Sequence, residues 1–144
     1  MTWVFVSAGE YLKLIYNATA IANFADNAAS SPATNIYVSL HTSAPGTGGN
    51  QTSNEAAYPS YARQAVARTT GGWTVTSNAV SPVANITFPA ATGSPSETET
   101  FFGTGTAVSG VGRLFHYGAI SPTIAVTSAG IAPILTTATT VTGT

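Results

Sequence analysis

From residue 35 onward the chain changes period. Before that point apolar residues recur every three or four positions; after it they recur every second position, in short runs broken by Gly, Pro, Asn and Ser. Asn35–Thr42 is the clearest case, with Ile36, Val38 and Leu40 on one side and Tyr37, Ser39 and His41 on the other. A period of two is the signature of a strand with one face on a core. Further runs of the same kind follow at Tyr61–Thr69, Trp73–Thr76, Asn85–Phe88, Glu97–Phe102, Arg113–Ile120, Thr123–Val126, Ile131–Leu135 and Thr139–Thr142. The intervening segments, including 44–50 and a Gly-rich stretch at 103–112, have turn composition. Helices do not alternate with these strands, which argues against a parallel sheet. The expected fold is mainly β: an antiparallel β-sandwich or barrel of about eight short strands, with one N-terminal α-helix.

The helix is expected at about residues 8–25. Ser7 and Glu10 have capping-box spacing, and Leu12, Ile15, Tyr16, Thr19 and Ala22 follow at helical period. Asp26-Asn27 and Ser30-Ser31-Pro32 would end it. The chain is therefore read as a single domain over 1–144: an arm at 1–6, a helix within 7–26 and a β-domain from 35. The core is expected to include Ile36, Val38, Leu40, Val66, Ile86, Phe88, Leu114 and Ile134.

Charge narrows the function. Only 6% of residues are charged, against roughly 25% in an average globular protein. The four cations, Lys13, Arg63, Arg68 and Arg113, are scattered, so no nucleic-acid partner and no anionic membrane are expected. No run of eighteen apolar residues suggests a membrane span, and the first eleven residues lack the cations of a signal peptide. The mature protein is accordingly expected to be the whole chain. There is no cysteine.

The residues also offer little chemistry. Asp26 is the only aspartate and no nucleophile elbow is present. Glu97 and Glu99 share a strand face; they are either a hydrolase pair or, as preferred here, charges guarding an exposed edge strand. His41 is read as a surface residue and His116 as half buried. Gly103-Thr104-Gly105 is read as a turn. No catalytic residue, cofactor or metal site is expected. Glu55 and Arg63 are the two charges assigned a role: a bidentate guanidinium–carboxylate pair locking a loop, weighed against two independent solvated side chains.

Several blocks in order resemble a known family. They are Asn35–Gly46, Asn54-Glu55, the strand YARQAVAR at 61–68, Asn85–Gly93, Phe102-Gly103 and Leu114–Ile120. Together they resemble a phage virion structural family usually labelled phage tail-fibre protein, related to capsid cement (decoration) proteins. The resemblance spans about residues 7–142 and implies a non-enzymatic virion protein with no active site. The preferred position is the outer capsid surface, where a cement subunit made in the host cytoplasm would bind the major capsid protein and itself, as a dimer or trimer. Trp3, Phe5 and Val141 are candidate assembly contacts through the terminal arms. The alternative is a tail-fibre or host-recognition module, with Tyr58, Tyr61 and Trp73 stacking on glycans. A cell-wall hydrolase is a remote third reading.

Overall fold

The structure is a computed structural model and describes residues 5–21 and 32–142, with helix side chains from residue 8 onward. It is mainly β. Among the described residues one helix, α1 (Phe5–Tyr16), precedes nine strands: β1 (Asn35–His41), β2 (Gln64–Ala67), β3 (Trp73–Thr76), β4 (Ala79–Pro82), β5 (Ile86–Thr87), β6 (Glu97–Gly105), β7 (Leu114–Val126), β8 (Ile134–Leu135) and β9 (Val141–Thr142). They form three sheets, ordered β2-β1-β6-β7, β3-β4-β9 and β5-β8. The registered pairs are antiparallel and no sheet closes on itself, so the fold is of the sandwich class and not a barrel. The described residues group into two compact units, one drawn from 1–35, 66–85 and 136–144, the other from 36–65 and 86–135.

In the first unit, α1 buries Ala8, Leu12, Ile15 and Tyr16. Tyr16 meets Trp73 edge-on, with ring centroids 4.8 Å apart. The helix starts earlier and stops earlier than its apolar period suggests. Phe5 and Val6 belong to the helix, not to an arm, and Ser7 lies inside it instead of capping it. At the other end the Lys13 carbonyl accepts from both Asn17 and Thr19, while Ala18 turns the chain at a φ of +55°. Arg68 then donates to the Leu14 and Ile15 carbonyls, placing a cation on the negative end of the helix. Thr19 is exposed and outside the helix; the rest of the expected C-terminal portion, residues 22–26, lies outside the described residues. β3 and β4 form a hairpin across Ser77-Asn78, with Ser77 at a φ of +56°. β4 was not among the expected strands, because AVSP carries a proline and a weak alternation. β9 pairs with β4, so the tail adds a strand to its own chain's sheet.

In the second unit, β1 and β6 are the interior strands of the four-stranded sheet. Ile36, Val38, Leu40, Ile86 and Phe88 are buried, as are Tyr58, Phe102, Val126 and Leu135. Three expected core residues differ. Leu114 is half buried, as is Val66, which belongs to the first unit. Ile134 is 45% exposed and its neighbour Leu135 is buried, because a two-residue strand can turn only one of them inward. β7 slips against β6: Ile120, Ser121, Pro122 and Thr123 stand opposite Thr100 alone, a bulge that breaks the edge of the sheet.

Gly103 and Gly105 are strand residues of β6, not a turn. A Cβ on Gly103 would lie 2.7 Å from both His41 Nε2 and Leu114 Cδ1; the strand needs glycine because neighbours press against its backbone. Leu40, fully buried on β1, has no room to be replaced by a smaller group without a void. Leu40→Ala is expected to lower stability by about 3 kcal/mol in urea denaturation.

Candidate functional site

His41 is 0% exposed, not a surface residue. Alternation placed it opposite Leu40, and that second face is also covered: the turn at 51–55 crosses it, with Ala56 donating to the Leu40 carbonyl and Thr42 to the Asn54 carbonyl. His41 lies 2.9 Å through Nδ1 from the Ser53 carbonyl oxygen and 2.8 Å through Nε2 from Ser39 Oγ. A carbonyl can only accept, so Nδ1 carries the proton and Nε2 accepts from the serine. Burial holds the imidazole below its ordinary pKa, which keeps it neutral.

The same turn delivers Glu55. Its Oε1 accepts from Arg63 Nε at 2.6 Å and its Oε2 from Arg63 Nη2 at 2.7 Å, a two-pronged ion pair sealed from water on the arginine side. Tyr61 adds a third donor, its hydroxyl giving 3.0 Å to Oε1 while accepting from the Leu40 amide. Burial and the adjacent carboxylate push the Tyr61 phenol well above its usual range, so it remains a donor.

The guanidinium has donors to spare, and they reach a loop. Nη1 donates to the Ala107 carbonyl at 2.9 Å and Nη2 to the Gly110 carbonyl at 2.8 Å. Gln51 clamps the same loop from its other side: its Oε1 accepts from the Ala107 amide, and its backbone N–H donates to the Gly112 carbonyl. Thr106 and Arg113 close the base with two hydrogen bonds of 3.1 Å. The result is a loop of small residues, 106–112, fixed by side chains buried beneath it. At its tip Val108 and Val111 are 61% and 78% exposed. Gly112 admits the clamp because a Cβ there would fall 2.0 Å from Gln51 Oε1. Gly112→Ala is therefore expected to displace Gln51 and to lower the melting temperature, a loss of about 2 kcal/mol.

A second carboxylate site lies on β6. Glu97 accepts from the Ala57 amide at 3.0 Å and the Tyr58 amide at 2.6 Å, tying the segment after Glu55 to the strand. Glu99 is 0% exposed, and among the described residues neither of its oxygens has a donor. Burial first, and Glu97 second, push its pKa up to about 8, which favours the protonated acid over the carboxylate. The expectation of an exposed, charge-guarded edge fails here because β6 lies inside the sheet, between β1 and β7.

The remaining expected sites are dispersed. Trp3 lies outside the described residues, Phe5 opens α1, and Val141 is half buried and paired with Val80. Tyr58 and Trp73 are buried and Tyr61 is half buried with its hydroxyl engaged, so none presents a face for stacking on sugars. His116 is half buried. Among the described residues no three His, Asp or Glu side chains gather as metal ligands, and no helix is long and apolar enough to cross a membrane.

The pattern of the family described as Podophage GP4 fiber I protein gp80 matches residues 14–142. The chain belongs to that family. It is thus a phage structural protein of the fibre type, associated with the virion, and the match takes in the whole Gln51–Arg113 site. None of the curated proteins compared with it is similar in sequence. Of the two virion positions raised by the sequence, the family supports the fibre better than the capsid cement.

Proposed function

We propose that this protein is a structural subunit of a tail fibre, and that the tip at 106–112 is one of its contact elements. The family match across residues 14–142 carries the fibre reading. The buried Glu55–Arg63 pair supports the contact role: a loop fixed beforehand loses little freedom on docking, so its apolar tip binds with less entropic cost. The subunit works without catalysis or cofactor. The Ser39–His41 pair is enclosed under Gly103, and the Glu99 carboxyl is out of reach of any substrate. Its partners are further copies of itself, as a dimer or trimer, and adjoining virion proteins. With so few charges, those contacts are apolar and main-chain in character and should resist salt. Quantitative mass spectrometry of purified virions tests the position. A fibre subunit should occur in single digits to low tens of copies, whereas hundreds of copies would mean a capsid lattice.

A further inference from the structure

We propose that Glu97 and Glu99 hold one proton between them, and that this proton latches the Ala56–Tyr58 segment onto β6. The two acids are two residues apart on one strand and therefore point to the same face. Their surroundings divide the roles. Glu97 is half exposed and accepts from two backbone amides, the environment of a carboxylate. Glu99 is enclosed, and as a carboxylate it would find no donor for either oxygen among the described residues. As an acid it has a proton to give, and Glu97, two residues along the same strand face, is the neighbouring carboxylate to take it.

Among the described residues no positive charge faces the pair. Across β6, β7 sets Val126 opposite Glu97 and Ile124 opposite Glu99. On the β1 side the register ends at His41 opposite Phe101, and that imidazole is neutral; beyond it Thr100 donates to the Thr42 carbonyl. From the facing segment comes the Tyr58 phenol, which donates to the Pro89 carbonyl and is kept protonated by burial and by the two acids. Glu55 and Arg63, the charges flanking the segment, neutralise each other.

Loss of the shared proton then has one outlet. Two adjacent negative charges repel with nothing to balance them, and Glu97 is the one that can turn to water. In turning it abandons the Ala57 and Tyr58 amides. The freed segment begins next to Glu55, the acid that holds Arg63, so the latch also bears on how firmly the 106–112 tip is held. That last consequence rests on the contact role proposed for the tip; the latch itself does not, and it can be read without any partner.

Amide hydrogen exchange on the intact chain tests it, expressed as protection relative to the intrinsic rate so that base catalysis of exchange cancels. Between pH 6 and pH 9, protection of the Ala57 and Tyr58 amides should fall at least about tenfold further than that of the Val38 and Phe102 amides of the sheet, which follow global stability. In Glu99→Gln, which keeps the shape and a donor but has no proton to lose, the fall should vanish. Unchanged protection in the native chain would overturn the latch. So would the same fall in Glu99→Gln, or a loss shared equally by Val38 and Phe102, which would mark global opening instead.

Discussion

Replacing Arg63 by alanine is expected to destabilise the protein by about 4 kcal/mol, within the range found when one partner of a buried ion pair is removed. The guanidinium makes four hydrogen bonds to groups away from bulk water: both oxygens of Glu55 and the carbonyls of Ala107 and Gly110. Without it, the Glu55 carboxylate keeps only the Tyr61 hydroxyl among the described residues, and the Ala107 and Gly110 carbonyls lose the guanidinium. Arg63→Lys should rescue little, since an ammonium cannot present the planar fork that serves three acceptor groups at once. The double variant Glu55→Ala/Arg63→Ala should cost clearly less than the sum of the single ones, because much of each single cost is the penalty of stranding the other charge. Urea denaturation of the native chain and of these four variants, Glu55→Ala included, measures this directly. Single-variant losses below about 1 kcal/mol, typical of solvated pairs, would mean that the loop is not held by this pair.

The second large effect is a pH dependence with an unusual sign. Most acids in folded proteins are paired, and their loss of charge destabilises at low pH. Glu99 behaves in the opposite way. Its folded pKa is raised from 4.5 to about 8, so between those values the folded chain holds a proton that the unfolded chain has released. Stability therefore falls as pH rises through that window, by up to about 1.4 kcal/mol per unit. The stabilisation is complete below the unfolded value and gone above the folded one. His41 and His116 oppose it from the other side. Burial lowers both, so the unfolded chain takes up protons first and stability declines as pH drops below about 6.5. A maximum near pH 6 is expected, with a decline on either side. Glu99→Gln should remove the alkaline decline and melt higher than the native chain at pH 8. A native profile that rises steadily from pH 6 to pH 8 would contradict this account of Glu99.

What the sequence revealed, and what it hid, follows from what periodicity can report. Alternation in β1 correctly put Ile36, Val38 and Leu40 on one buried face. It could not say that the opposite face, with Ser39 and His41, would also be covered, because the covering turn at 51–55 has no apolar pattern of its own. Glu97 and Glu99 looked like surface charges for the same reason: a single strand does not announce whether it lies at the edge or the centre of a sheet. Gly103 and Gly105 suggested a turn by composition. Their role is instead to let His41, Ser39 and Gln51 approach the β6 backbone, a demand that comes from residues far along the chain. The end of α1 was equally hidden, since its carbonyls are capped by Arg68 from a distant segment. Glu55 and Arg63 stood out because charge is scarce. The carbonyls of Ala107 and Gly110, which explain why the arginine is there, carry no sequence signal at all.

The fibre assignment is the central claim, and its most direct test is to see the protein on the particle. Electron microscopy of intact virions labelled with a gold-conjugated antibody against the chain should place the label at the tail, on the fibres, with the head bare. Label distributed over the head, in register with the capsid lattice, would contradict the fibre reading and return the protein to the capsid surface.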